Sequence, residues 1–130
     1  CCHWFTVDNL YHLFKGGRVK ASGYLLAMAL SVKPMMHMDN EGHLVPVGKV
    51  IGRKKSILTL AEQIATSIVA PEEQVIFISH GDCIDEAEFL AKKIKEKVQV
   101  KDVVINMLEP VIGAHSGPGT MAVFCLGERR

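Results

Sequence analysis

Between Pro71 and Gly119 the apolar residues fall in a pattern that few folds accommodate. Val75-Ile76-Phe77-Ile78 is a continuous apolar run, the mark of a strand buried on both faces. Residues 84–98 then place Ile84, Ala87, Ala91, Ile94 and Val98 along one side of a helix. Asp82 is its expected cap, with Asp85 three residues on. Residues 103–108 read as a second strand and 120–126 as a third. Along the whole chain the strands outnumber what helices can separate, so the sheet is mixed.

The first half supplies the rest of that sheet. Asp8 is placed to cap a short helix carrying Leu10, Leu13 and Phe14, and Gly16-Gly17 ends it. Residues 22–32 read as a helix that is apolar nearly all round, hence buried, with Pro34 as its stop. Residues 34–38 and 43–51 form a hairpin about the turn chemistry of Asp39-Asn40-Glu41-Gly42. Pro46 cannot donate to a ladder, which puts its strand at an edge. Residues 53–69 are an amphipathic helix carrying Ile57, Ala61, Ile64 and Ile68. The predicted fold class is α+β, a mixed β-sheet packed with helices in the order α-α-β-β-α-β-α-β-β, in one domain over residues 1–130.

Charge and cysteine usage narrow the function. Fifteen Lys and Arg against fourteen Asp and Glu give a net charge of +1, with no basic field for nucleic acid. The apolar stretch over residues 24–30 is too short to span a bilayer. Cys1, Cys2, Cys83 and Cys125 are too few for a disulfide-stapled secreted domain. They read as reduced thiols, and the expected location is cytoplasmic.

Several stretches carry chemistry-bearing residues. Residues 113–119 (Gly-Ala-His-Ser-Gly-Pro-Gly) read as a loop in which glycine permits close approach of a ligand. His115 and Ser116 there offer an imidazole and a hydroxyl to an anionic oxygen; the alternative is a tight connection with an exposed polar tip. His80-Gly81-Asp82-Cys83 ends a strand before a helix N-terminus, where open sheets place ligands, or it is simply a cap with a thiol beside it. Catalysis by Cys83 lacks an identifiable third group. A metal site is not expected: His37, Asp39 and His43 flank one hairpin, but with Met38 facing His43 the two histidines point to opposite faces, and His80-x-x-Cys83 lacks a second ligand pair. Lys15-Gly-Gly-Arg18 and Gly52-Arg53-Lys54-Lys55 are basic clusters. The second opposes the dipole of the helix it opens, which points either to an anionic partner or to a solvated charged face.

In order and spacing, these strings resemble the C-terminal half of the DegV family of bacterial fatty-acid-binding proteins. They are Lys15-Gly-Gly-Arg18-Val, Lys33-Pro-Met-Met-His37-Met-Asp39, Glu41-Gly42-His-Leu-Val-Pro46-Val, Gly52-Arg53-Lys54-Lys55, Ser79-His80-Gly81 and Ile112-Gly-Ala-His115-Ser-Gly-Pro-Gly119. The resemblance runs from about Phe5 to Leu126. It implies a non-catalytic carrier that holds one long-chain fatty acid. Such a carrier presents the carboxyl group to a separate fatty acid kinase related to dihydroxyacetone kinases, toward phospholipid synthesis. By the same resemblance His115, with Ser116, binds the carboxyl group. Arg18 and Arg53 belong to the headgroup environment or to kinase docking. Leu25, Leu26, Met28 and Ala29 line the acyl tunnel or are plain core. No cofactor other than the fatty-acid ligand is implied. The alternative is a small hydrolase or phosphotransferase using His115 or His80.

Family members carry an N-terminal α/β domain before this region, whereas this sequence begins Cys1-Cys2-His3 without a Met. The expectation is therefore a C-terminal DegV-like domain without its N-terminal partner, lacking part of the headgroup site. It should hold fatty acid weakly alone and expose an apolar patch that self-association could cover.

Overall fold

The computed structural model describes residues 1–17 and 31–128. Its elements are β1 (Cys2–Thr6), α1 (Tyr11–Lys15), β2 (Val32–Met38), β3 (Leu44–Ile51), α2 (Arg53–Ser67), a 3-10 turn (Pro71–Glu73), β4 (Val75–His80), α3 (Ile84–Lys97), β5 (Asp102–Met107), α4 (Pro110–Ser116) and β6 (Met121–Cys125). The strands make one six-stranded sheet in the order β3-β2-β1-β6-β4-β5. Only β4 and β5 run parallel; the other neighbours are antiparallel. The class is α+β with a mixed sheet, as the sequence predicts.

The core lies between one face of the sheet and the helices α2 and α3. Ile57, Leu60, Ala61 and Ile64 of α2 and Ala87, Leu90 and Ile94 of α3 pack with Ile76, Ile78, Met121 and Val123. Each fully buried aliphatic chain contributes about 1.5–3 kcal/mol. A smaller cluster of Val7, Leu13 and Met36 with Phe5 and Leu10 seats α1. Register puts Phe5 and Met36 opposite one another, on the face away from α2 and α3.

Four sequence expectations are corrected. The first strand is absent from the expected order, yet β1 sits inside the sheet between β2 and β6. Residues 113–116 of the expected 113–119 loop belong to α4 instead, with Pro110 at its first helical position, where its missing N–H costs nothing. Phe77 is half exposed, so β4 buries one face only. The helix expected over 22–32 falls largely outside the described residues, but Val32 opens β2.

Local caps differ too. Asn9, not Asp8, accepts the Tyr11 N–H at α1 (2.8 Å), and Asp8 instead pairs with Lys33 at 2.8 Å. Cys83, not Asp82, precedes α3, and Asp82 lies at φ 53°, outside a cap conformation. The hairpin register pairs Met38 with Leu44 and His37 with Val45, one residue beyond expectation. Pro46 does lie on an edge strand, next to a bulge that leaves Val47 half exposed. No helix among the described residues is long and apolar enough to cross a membrane.

Candidate functional site

The chemistry-bearing residues gather at one end of the sheet. β4 ends at His80, and β6 begins at Met121, its register partner. Two loops meet there through glycines. Gly81 N–H donates to Thr120 O at 2.8 Å, and Gly119 N–H donates to Gly81 O at 2.7 Å. A Cβ on Gly81 would stand 2.8 Å from Gly117 O, a backbone atom with no room to yield. Thr120, which is buried, donates its hydroxyl to Gly117 O at 2.7 Å. Residues 117–120 are thus bound to the turn that follows β4.

α4 ends against this junction, with Gly117 at its C-cap donating to Gly113 O at 2.8 Å. His115 stands exposed in the last turn. Val111 lies four residues earlier on the same helical stripe and is also exposed, as is Ile112. Met107, at the end of β5, is exposed as well. An imidazole beside exposed apolar side chains can bind a carboxylate and cover its first methylenes. Reading 113–119 as a loop hid the Val111–His115 pairing; Pro110 at N1 was the available signal. Ser116 is buried, and its hydroxyl donates to Ile112 O at 2.8 Å, within its own helix.

His80 is buried, and its Nδ1 accepts the Cys83 N–H at 3.2 Å. That bond fixes the turn into α3. Burial pushes the Cys83 thiol up, opposed by the Arg53 charge and reinforced by Glu86, so Cys83 is no poised nucleophile. Arg53 opens α2 and is mostly buried. Its Nε reaches Glu86 Oε1 at 3.1 Å and Oε2 at 3.0 Å, and its Nη2 reaches Oε2 at 2.6 Å. Nη2 also lies 3.8 Å from Cys83 Sγ. The cation that opposes the α2 dipole is therefore matched by Glu86, itself favourably placed in the first turn of α3. Lys54 and Lys55 are exposed. Arg18, Leu25, Leu26, Met28 and Ala29 lie outside the described residues.

At the hairpin tip the ligand atoms of Asp39, Glu41 and His43 lie within 4.8 Å of one another. Asp39 Oδ1 accepts the N–H groups of Glu41 (2.9 Å) and His43 (2.8 Å), so its carboxylate already closes the turn. His37 is away from this trio: its ring stacks on Trp4, with centroids 5.4 Å apart.

On the face away from α2 and α3, Phe77 is 50% exposed and Phe124 partly so. With Val75, Cys125, Leu126, Gln74, Glu73 and Cys1 they line a cleft of about 320 Å³.

A six-stranded mixed sheet covered on one face by α2 and α3, with the Gly81 and Gly117–Gly119 loops joined at one end, defines an α+β domain whose chemistry-bearing residues gather at that junction. The sequence model of the DegV family, described as uncharacterised, matches residues 1–128, and the chain belongs to that family. A DegV domain-containing protein of Clostridium perfringens is 46% identical over 129 residues, which are 99% of this chain and 44% of that protein. The fatty-acid-binding DegV protein of Streptococcus agalactiae superposes with a TM-score of 0.74 at 32% identity, covering 94% of this chain and 43% of that one. A DegV protein of Ruminococcus gnavus, refined with vaccenic acid, gives a TM-score of 0.80 at 26% identity, over 94% and 43%. The chain therefore spans less than half the length of these relatives.

Proposed function

We propose that this chain is the carboxyl-gripping part of a fatty-acid carrier, a binder rather than a catalyst. The observation that carries it is the exposed stripe of α4, where His115 stands four residues from Val111 at the junction of the Gly81 and Gly117–Gly119 loops. A fatty acid is an anion joined to an alkyl chain. A site for it needs a donor for the carboxylate and apolar surface directly beside it. The near-neutral charge fits such a ligand better than a polyanion. Fatty-acid binding in the Streptococcus agalactiae relative supports the assignment. Ser116 donates its proton to Ile112 O, so His115 is left as the donor to the carboxylate and Ser116 serves by anchoring α4. In this reading Leu25, Leu26, Met28 and Ala29 contribute to the acyl tunnel, as the family resemblance implies, and the part of the carrier beyond the span matched to the relatives completes it. The held carboxyl group is handed to a separate kinase related to dihydroxyacetone kinases. Arg53 serves by shaping the β4–α3 turn rather than as a free cation, and Arg18 keeps the headgroup or kinase-docking role that the resemblance implies.

The test is a chimera in which this chain replaces the matching part of the Clostridium perfringens relative. Solvent extraction and mass spectrometry of the purified chimera should recover one long-chain fatty acid per chain. His115→Ala should lower retention about 10–100-fold, the worth of one hydrogen bond to a charged group. A chimera that folds but carries no fatty acid, or that retains it equally without His115, overturns the proposal.

A further inference from the structure

α4 is poorly equipped to hold itself in place. It has seven residues with Gly113 at its centre, too few for a helix to persist alone. Val111, Ile112, Ala114 and His115 are exposed, and among its residues only Ser116 is buried. The burial that anchors the helix is therefore concentrated at Ser116 and at the cap residue, Gly117. What lies on that cap comes from a different part of the chain. Gly117 has φ 82°, and a Cβ there would overlap the His12 ring, standing 2.6 Å from Cγ and 2.9 Å from Nε2. Two residues on, a Cβ on Gly119 would overlap Asp8 Cβ. Gly81 packs against Gly117 O as well, so the loop after His115 is held both by the β4–α3 turn and by α1.

From this packing we propose that His12 is a positioning residue for His115. The His12 ring is the wall that stops α4 at Gly117 and so sets where the imidazole two residues earlier stands. Glycine at 117 is required both by its backbone conformation and by the ring seated on it. The role of His12 is one of shape, so another flat ring of similar size should serve. The inference rests on the carboxyl-binding reading only for its effect on ligand; the packing itself is read without one.

Two measurements separate the parts. In the chain as it stands, amide hydrogen exchange at Gly117 should rise at least about tenfold in His12→Ala and return toward the starting value in His12→Phe. The ring resonances of His115 should be a single sharp set in the parent and in His12→Phe, and broadened or multiple in His12→Ala. In the chimera, His12→Ala should lower fatty-acid retention, and should lower it no further when His115 is already alanine. Unchanged Gly117 exchange or unchanged His115 resonances in His12→Ala would overturn the proposal. So would an equal loss of retention with and without His115, because that marks a general loss of structure. A chimera that never retains fatty acid overturns the carboxyl reading instead, and the exchange and resonance measurements still decide the positioning role.

Discussion

Removing Glu86 should cost more than removing Arg53, and the structure gives the reason. The Arg53 side chain is 16% exposed and that of Glu86 36%. Their contact comprises three N–O distances between 2.6 and 3.1 Å. A fully exposed pair contributes about 0.2–1 kcal/mol, whereas breaking a fully buried one costs about 3–5 kcal/mol. This pair lies between. Glu86→Ala leaves a guanidinium largely out of water, with Nη1 already buried and unpartnered. It also removes an acidic group from the first turn of α3. The expected loss is about 1.5–3 kcal/mol. Arg53→Met keeps the apolar stem packed and relieves the α2 N-terminus of a cation, so it should cost about 1 kcal/mol less.

The assay is urea unfolding followed by far-UV circular dichroism on the two single variants and the double variant. The coupling energy should be about 1–2 kcal/mol, and the melting temperature of Glu86→Ala should fall by roughly 5–15 °C. Arg53→Met proving the costlier single change would refute the reasoning. A coupling below about 0.3 kcal/mol would also do so, since the pair would then behave as an exposed one.

Two further outcomes follow from the cysteines and from the hairpin tip. Burial and the neighbouring Cys2 push the Cys125 thiol up to about 12, which leaves a thiolate fraction of about one in ten thousand at pH 8. Peptide mapping after brief iodoacetamide treatment should therefore find exposed Cys1 alkylated and buried Cys2 and Cys125 spared; rapid labelling of Cys125 in folded protein contradicts this. The His43 N–H bond to the Asp39 carboxylate, with that of Glu41, holds this acid below its usual 3.8 against a smaller opposing effect of burial. Because the folded value is the lower one, the turn's stabilisation is complete above 3.8 and is lost as pH falls through that lower value. The amide resonances of Glu41 and His43 should move together over that acid range and stay still above pH 5, and an opening centred near neutrality would exclude the carboxylate as its cause.

The sequence patterns that proved legible are those with a long period and clear ends. Both long helices and all five strands after β1 appear near their expected places, because Ile57, Ala61 and Ile64 or Ala87 and Ile94 repeat at helical steps. β1 was hidden because Cys2, Trp4 and Thr6 form its inward row, and a row ending in threonine carries little hydrophobic alternation. Its place is secured by ladders on both sides rather than by its own residues. The hairpin register slipped by one because Asp39 N–H donates to His43 O at 3.0 Å, which takes His43 into the loop. α4 was masked by Gly113, a residue that disfavours helix by about 1 kcal/mol and is overridden here by the junction at Gly117. His115 was legible as a donor between glycines. Its apolar neighbour Val111 and the ring of His12 were not, since one depends on helical geometry and the other on contact between distant segments.

The face that the apolar run seemed to promise as buried bears on the carrier reading. A parallel strand pair is ordinarily covered on both sides, because the crossover helices that make it parallel lie against it. Here α3 covers one side of β4 and β5, and the other shows Phe77 at 50% exposure, with Phe124 beside it across the ladder. Exposed aromatic surface on a sheet is costly to maintain and prone to association. Phe77 therefore reads as a residue chosen for a second contact rather than for this domain's own core. Val111, Ile112 and Met107 follow the same logic at the end of the sheet where His115 stands. The polar contacts that fix the frame (the Gly81–Gly119 bond, the His80 turn and the Arg53–Glu86 pair) involve none of these apolar side chains. Such a division, with polar bonds fixing the frame and apolar side chains left outward, suits a domain that closes on an alkyl chain together with a second domain better than one that encloses a substrate by itself.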